Sequence, residues 1–320
     1  MHIPDGMLQA PTWIPAWLGS VGVLAYAVRK VRERLADGTV VLMAVLAALI
    51  FALQMLNFPV AGGTSGHFAG GAAAAIVLGL WPAMLVMAAV VTVQAVFFAD
   101  GGITALGANM LTMAVLGPLV GHLLYRATLR VRDTRAVRLA AAFGAAWAAC
   151  VASAQAAGVM LWLSGRAPLV PVVTAMGLWH ALIGIGEGTI TAGLVGYLLA
   201  VRPDLLAASA RPPGDRRHIR TAAIWLAGFA LLAVSLSFVA SSNPDGLEYV
   251  YERVGERFEA TPVLEGTMPD YVMPGVANDT LAGVLAGVVG VLITGTLVYA
   301  TLSPSRKRRG HDAVAGADTP

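Results

Sequence analysis

The amino-acid sequence predicts an all-α integral membrane protein with about nine transmembrane helices, its N-terminus outside the cell and its C-terminus in the cytoplasm. Of its 320 residues, 58% are hydrophobic and only 12% are charged, whereas soluble globular proteins have about 45–50% apolar and about 25% charged residues. The charged residues also cluster between long apolar stretches, which is typical of a chain whose helices cross a bilayer. We therefore expect a multi-pass protein of the cell membrane.

Nine apolar stretches are assigned as spans, because a helix needs about 20 apolar residues to cross a bilayer. In chain order they cover residues 12–28, 39–56, 67–80, 82–98, 104–124, 137–163, 170–200, 221–240 and 280–301. The third is short, and Gly79 and Pro82 separate it from the fourth, so these two form either a tight hairpin or one broken element. The first six residues lack the basic region of a signal peptide, so we expect Met1 to be retained.

The distribution of basic residues predicts the orientation, since cytoplasmic loops retain Lys and Arg. With the N-terminus outside, 18 of the 21 basic residues fall in cytoplasmic segments or their flanks, and only Arg166, Arg253 and Arg257 fall outside. The excess of basic residues therefore reflects membrane topology, and no nucleic-acid partner is expected. The single cysteine, Cys150, lies in an apolar run, which excludes a disulfide framework and a thiolate zinc site.

A change in composition divides the chain into two membrane modules. Residues 201–219 contain two consecutive prolines and a glycine and have the composition of a cytoplasmic linker. We therefore expect a domain at residues 1–200, a two-helix module at residues 220–301, and a basic and then disordered tail at residues 302–320. Within the second module, the external segment 241–279 carries eight acidic residues against two basic ones. It either attracts cations to the surface or is simply a solvated loop.

His2 is the histidine that carries the most chemical information. The Met1 amine, the His2 main-chain nitrogen and the His2 ring Nδ1 can bind one metal ion through a five-membered and a six-membered chelate ring. Ni²⁺ and Cu²⁺ favour such planar nitrogen donors. His67 follows a glycine-rich loop on the same predicted side of the membrane, so its ring offers a fourth donor. Because the chain has no thiolate or carboxylate cluster, a cation site must be built from nitrogen.

Four sequence motifs, in this order along the chain, resemble those of the CbiM/NikM family. They are MHIPDG at residues 1–6, NFPVAGGTSGH at residues 57–67, FADGGITALGAN at residues 98–109 and HALIGIGEG at residues 180–188. Two further motifs resemble the PDGLE or N-type partner of that family, here fused behind the linker. They are PDGLE at residues 244–248 and MPDYVMPG at residues 268–275.

This resemblance implies the seven-helix substrate-specific component of an energy-coupling factor transporter for cobalt or nickel, followed by a two-helix module. Ni²⁺ or Co²⁺ would be the transported substrate, serving cobalamin biosynthesis or nickel enzymes, and no permanent cofactor is expected. The implied ligands are the Met1 amine, the His2 main-chain and ring nitrogens and the His67 ring. The other ring nitrogen of a ligating histidine needs a hydrogen-bond partner, and the candidates are Thr64, Ser65, Asn109 and His180.

The chain is not expected to be an enzyme, and the energy for transport must come from other proteins. An ATP-binding P-loop needs the pattern GxxxxGK[ST], and the only lysines, Lys30 and Lys307, lie in arginine-rich segments without that pattern. The resemblance implies a transmembrane coupling protein and two cytoplasmic ATPases as partners, besides the metal ion and the lipid bilayer.

Two other functions would use different residues. An ion-coupled secondary metal transporter would move protons through His180 and through Glu187, the only carboxylate deep in a predicted span. An intramembrane metal enzyme would use His122 and His180, but the sequence lacks a helix-spaced ligand pair such as HExxH. Asp100 and Glu187 are equally compatible with a role in capping a loop or packing a helix.

Overall fold

The chain folds into a bundle of helices, seen in a computed structural model that describes residues 1–33, 37–206, 216–235, 240–255 and 260–303. Ten α-helices and one two-stranded hairpin account for most of these residues, so the predicted all-α membrane class is confirmed. About half of the predicted linker 201–219 and nearly all of the predicted tail lie outside the described residues. The division into domains stays a prediction.

Each predicted span corresponds to one helix, and one further short helix lies in the external segment. The helices are α1 (Ala10–Arg32), α2 (Asp37–Gln54), α3 (Gly71–Leu78), α4 (Leu80–Phe97), α5 (Leu106–Val131), α6 (Arg135–Leu163), α7 (Leu169–Val201), α8 (Arg216–Ser235), α9 (Gly246–Val254) and α10 (Asp279–Leu302). Among the described residues, five helices are long and apolar enough to cross a membrane, namely α4, α5, α6, α7 and α10. The total of nine spans and the orientation therefore stay predictions.

The third predicted span, residues 67–80, is wrong at its start. Helix α3 begins only at Gly71 and has 8 residues, so it is about 12 Å long and shorter than the hydrocarbon core of about 30 Å. A glycine with positive φ stands at each end of α3, Gly70 at 80° and Gly79 at 83°. Residues with side chains rarely adopt this conformation. His67 consequently lies in a loop before α3. Because the residues before α3 and after α4 meet at the same His2 ring, the two helices run antiparallel, and Gly79 closes the tight hairpin that was one of the two alternatives.

A short β-hairpin replaces part of the loop that the sequence placed before His67. Strands β1 (Phe58–Val60) and β2 (Thr64–Gly66) pair antiparallel, with Val60 opposite Thr64. The turn between them contains Gly62 and Gly63, whose φ angles are 89° and 88°. The glycines that indicated an irregular loop instead close a tight turn, and the hairpin holds the residues before His67 in a fixed register.

Two sets of helices form the core of the bundle. In one, α5 packs along α6 and α6 packs along α7; in the other, α8 and α10 pack along α2. Helix α3 is wedged against α5, where Gly121 lies so close to Ala72 that a Cβ on Gly121 would be 2.6 Å from the Ala72 Cα. Small residues permit this approach, as they do between helices in membranes generally.

Five segments outside the long helices meet at one end of the bundle, namely residues 1–9, 55–70, 98–105, 164–168 and the described part of the external segment, residues 240–255 and 260–278. Hydrogen bonds join them directly: Gly102 N–H to the Ile3 carbonyl, Ser65 N–H to the Pro244 carbonyl, Asp270 N–H to the Phe98 carbonyl, and the Arg166 guanidinium to the Gly6 carbonyl. The sequence predicts that all five segments lie on the outer side of the membrane. Segments on one side of a membrane can meet at one end of a bundle, as these do.

We expect Gly121→Ala to destabilise the bundle, because its new methyl group would overlap the Ala72 backbone. Overpacking of this kind costs about 1–3 kcal/mol, which thermal unfolding of the purified protein in detergent would report as a lower Tm. Gly144→Ala is the matched control, since Gly144 lies on α6 with open space where a Cβ would be. It should leave the Tm unchanged or raise it. A Gly121→Ala protein as stable as the wild type would contradict the close packing of α3 and α5.

Candidate metal-binding site

The N-terminal peptide, residues 1–9, folds back into the end of the bundle. Met1 and His2 are buried, and Ile3 is completely buried. Asn109 in α5 binds both sides of the Ile3 main chain: the Ile3 N–H donates to Asn109 Oδ1 at 2.9 Å, and Asn109 Nδ2 donates to the Ile3 carbonyl at 3.0 Å. Gly102 N–H donates to the same carbonyl at 2.9 Å. These bonds fix the main chain directly after His2.

Asp5 anchors the same peptide to two further segments. Its carboxylate accepts from the N–H of Thr104 at 2.7 Å, from the Thr104 hydroxyl at 2.6 Å and from the N–H of Val263 at 3.0 Å. Burial raises the pKa of Asp5, but these hydrogen bonds outweigh burial and hold the pKa below its usual value. A Cβ on Gly102 would be 2.2 Å from the Asp5 nitrogen, so only glycine at position 102 allows these two segments to approach this closely.

The amine of Met1 lies between His67 and Asp245. It donates to His67 Nε2 at 2.7 Å and forms an ion pair with the Asp245 carboxylate. Burial, aided by the positive charge of the amine, lowers the pKa of His67 to about 3, so the His67 ring is neutral near pH 7 and Nε2 presents a lone pair. Burial raises the pKa of Asp245, but the amine outweighs burial and holds that pKa well below its usual range.

The His2 ring is held through both of its nitrogens. Nδ1 contacts Asp100 Oδ1 at 2.9 Å, and Nε2 contacts Gln94 Oε1 at 3.1 Å. Tyr271 links these two partners, since its hydroxyl donates to Asp100 Oδ2 and accepts from Gln94 Nε2. Burial raises the pKa of Asp100, but His2 outweighs burial, so the pKa lies well below its usual range. The His2 ring also stacks on the His67 ring, with centroids 5.5 Å apart.

Among the described residues, none of the four predicted partners forms a hydrogen bond with the ring of His2 or His67. Asn109 binds the Ile3 main chain rather than a ring, and His180 donates from Nδ1 to the Met176 carbonyl at 2.9 Å. His180 also lines, with Met1, His67, Cys150 and Asp245, a cavity of about 10 Å³, which is roughly the room that one water molecule needs.

Thr64 and Ser65 instead hold the external segment of the second module. The Thr64 hydroxyl donates to the Pro244 carbonyl at 3.1 Å, and the Ser65 hydroxyl donates to the Asn243 carbonyl at 2.8 Å. Within the described residues, His67 Nδ1 is buried and has no hydrogen-bond partner. In place of the predicted partners, Gln94 and Asp100 hold the His2 ring, and the Met1 amine contacts His67 Nε2.

Two contributors were missed at the sequence level, Gln94 and Asp245. Gln94 gave no signal, because a glutamine within an apolar run has no distinctive spacing. Asp245 was visible only as one of eight acids in the segment 241–279 and as part of the PDGLE motif. Glu187 has the capping role: its carboxylate accepts from the N–H groups of Ala69 and Gly70, at 2.7 and 2.9 Å, and so holds the loop that follows His67.

No three His, Cys, Asp or Glu side chains converge as a metal-binding group in the part of the chain that the structure describes. A cation site here must therefore include main-chain or terminal nitrogens. The structure brings together one terminal amine, the rings of His2 and His67, and the carboxylates of Asp100 and Asp245. Nitrogen donors with nearby negative charge suit a divalent transition metal ion.

Comparisons with known proteins identify the family of the chain. Residues 2–205 match the CbiM family, described as the cobalt uptake substrate-specific transmembrane region, and residues 220–307 match the PDGLE domain. The fused nickel transport protein NikMN of Rhodobacter capsulatus is 33% identical over 97% of this chain and 100% of its own length. The "Putative fused nickel transport protein NikMN" of Archaeoglobus fulgidus is 42% identical over 94% of this chain and 97% of its own length.

A solved structure described as a truncated transition metal transporter also resembles the chain. It is 32% identical, with a TM-score of 0.57, and the match covers 62% of this chain and 99% of that one. The family match extends over more than half of the chain, and the two nickel transport proteins align over nearly all of it. The chain is therefore a multi-pass membrane protein that belongs to the CbiM family of cobalt and nickel transport proteins and carries a fused PDGLE domain.

Proposed function

We propose that this chain is the substrate-capture component of an ATP-driven importer for Ni²⁺ or Co²⁺. It binds the ion at the outer side through the Met1 amine, the His2 main-chain nitrogen, the His2 ring and the His67 ring. The His2 main-chain N–H releases its proton to solvent on binding, because an amide nitrogen coordinates a metal ion only when it is deprotonated. The observation that carries this proposal is the distance of 2.7 Å between the Met1 nitrogen and His67 Nε2.

That distance suits two neighbouring ligands of one planar ion. Metal–nitrogen bonds of about 2.0 Å place two donors at right angles about 2.8 Å apart. The Met1 nitrogen and the His2 main-chain nitrogen belong to one chelate ring, so His67 Nε2 would occupy the position next to Met1. The ion then takes the place of the proton that the amine donates to His67, and both nitrogens keep their present positions.

His2 must change one contact on binding. Its Nδ1, the nitrogen that closes the six-membered chelate ring, faces Asp100 in this structure. A metal ion on Nδ1 replaces the proton shared with Asp100, while Nε2 keeps its hydrogen bond to Gln94. A retained partner of this kind fixes the orientation of a ligating imidazole. The Asp100 carboxylate remains nearby and offsets part of the charge of the ion.

The energy for import is proposed to come from a transmembrane coupling protein and a pair of cytoplasmic ATPases. The support is indirect: the chain has no P-loop pattern, and its relatives are transport proteins. The alternative of proton coupling through Glu187 is less well supported, because both carboxylate oxygens of Glu187 already accept main-chain hydrogen bonds from Ala69 and Gly70.

We expect His2→Ala and His67→Ala to abolish metal binding, because each removes one ring donor. The loss should exceed the roughly 10–100-fold that removal of an outer hydrogen-bond partner costs. Equilibrium dialysis of the purified protein with Ni²⁺ and with Co²⁺ measures it. His122→Ala is the control, since His122 lies on α5 outside the site, and it should bind as the wild type does. Wild-type affinity in both site variants would disprove the proposed ligand set.

A peptide extension before Met1 should be as damaging as His67→Ala. It converts the amine to an amide, whose nitrogen coordinates a metal ion only after losing its N–H proton, and it adds bulk where Met1 is buried. The same peptide added after Pro320 is the control. Mass spectrometry of the purified protein must show that the extension is retained. Full Ni²⁺ binding by the extended protein would rule out coordination by the terminal amine.

The proposed energy source predicts that ATPases copurify with this chain from native membranes. Vesicles that contain the whole complex should accumulate Ni²⁺ or Co²⁺ when ATP is supplied on the ATPase side, and a proton gradient without ATP should give no accumulation. Uptake by the purified chain alone, driven by a proton gradient, would instead support the ion-coupled secondary transporter.

A further inference from the structure

The two carboxylate oxygens of Asp245 bind different groups: one caps a helix and the other contacts the Met1 amine. Oδ1 accepts from the N–H groups of Leu247 and Glu248, at 2.7 and 3.0 Å, and so caps the N-terminus of α9. Oδ2 forms the ion pair with the Met1 amine. Glu248 completes a capping box by accepting from the Asp245 N–H at 3.1 Å. The cap fixes the rotamer of Asp245, so Oδ2 is aimed at the amine before any ligand arrives.

The segment that carries Asp245 is itself docked on the hairpin that precedes His67. The Pro244 carbonyl accepts from the Ser65 N–H at 2.8 Å, and the Tyr249 hydroxyl donates to the Gly62 carbonyl at 2.7 Å. Gly246 packs so closely on α7 that a Cβ would be 2.8 Å from the His180 ring. The PDGLE domain therefore reaches the Met1 amine from a rigid, well-packed position.

The contact between Asp245 and the Met1 amine matters because a terminal amine is otherwise free to rotate. A terminal amine is attached only through its Cα, so the Met1 nitrogen can rotate away from His67 unless another group holds it. A metal-bound amine keeps two N–H groups, and a carboxylate that accepts from one of them both orients the nitrogen and makes it a better donor, as carboxylates do for metal-bound histidines. The side chain of Asp245 is only 17% exposed, so water competes weakly for that hydrogen bond.

We propose that Asp245 is a positioning residue of the metal site, supplied by the PDGLE domain, which holds the Met1 amine against His67 before and during metal binding. This inference rests on the proposed metal-binding function. It gives the fused domain a direct part in metal capture: the donors come from the first 67 residues, and the group that sets one of them in place comes from residue 245.

Asp245→Asn tests the proposal in the full-length protein. Asparagine has the same shape and is an equally good N-cap, but it carries no charge, and its NH₂ group would face the amine if its oxygen caps α9. Glu248→Gln is the matched control. Glu248 lies on the same helix and belongs to the same capping box, but it is exposed and makes its hydrogen bond to the Asp245 main chain instead of to Met1.

Two measurements are made on each purified protein. The first, without metal, is the rate at which an amine-reactive reagent labels Met1, determined by mass spectrometry with Lys30 as the internal reference. The second is the dissociation constant for Ni²⁺, with the d–d absorption band that reports planar nitrogen coordination. In Asp245→Asn we expect labelling to be several-fold faster, Ni²⁺ affinity to fall about 10–100-fold and the planar band to weaken. Glu248→Gln should match the wild type in all three.

Asp245→Glu distinguishes loss of the carboxylate from a folding defect in Asp245→Asn. It restores the carboxylate, so it should bind Ni²⁺ at least tenfold more tightly than Asp245→Asn. Three results would overturn the inference. They are wild-type labelling in Asp245→Asn, wild-type Ni²⁺ affinity in Asp245→Asn together with faster labelling, and equal loss of affinity in Asp245→Asn and Asp245→Glu.

If the wild-type chain binds neither Ni²⁺ nor Co²⁺, both the proposed function and the inference that rests on it are wrong. If the wild type and Asp245→Asn bind equally well, only the inference fails.

Discussion

The structure depends on the placement of one charged group, the terminal amine of Met1, between a neutral imidazole and a carboxylate. A buried amine without partners would be costly, and this one has His67 Nε2 at 2.7 Å and the Asp245 carboxylate as partners. The hairpin before His67, the cap of α9 and the anchoring of the N-terminal peptide all serve that placement. The rest of the bundle is the apolar scaffold that keeps these polar groups together.

The anchoring relies on main-chain contacts more than on side-chain charge. Asn109 binds both polar groups of Ile3, Asp5 accepts from main-chain N–H groups of two other segments, and Gly102 approaches where no side chain would fit. Such contacts satisfy the polar groups of a peptide buried within a bundle. They also give the peptide a defined position, which a planar set of donors requires.

Hydropathy predicted the helices well because burial in a membrane needs long apolar runs, and each predicted span contains a helix. It failed at residues 67–70, where Phe68 and Ala69 continue the apolar pattern although the positive φ of Gly70 delays the helix to Gly71. The hairpin was missed for a similar reason, since Gly62 and Gly63 suit either a loop or a tight turn. Local conformation at glycine is chosen by the surrounding structure, which a pattern of residue types does not contain.

The sequence alone determined that the chain is a helical membrane protein. It also predicted that Met1 and His2 offer three nitrogens to one metal ion, because those donors are covalent neighbours. Four motifs also indicated His67. Only the tertiary structure decided what surrounds these donors, since Gln94, Asp100 and Asp245 are remote in sequence and unremarkable in spacing. It reassigned Thr64 and Ser65 to the docked external segment and Glu187 to the loop after His67. Contacts between distant segments depend on how the helices pack, and packing is a property of the whole chain.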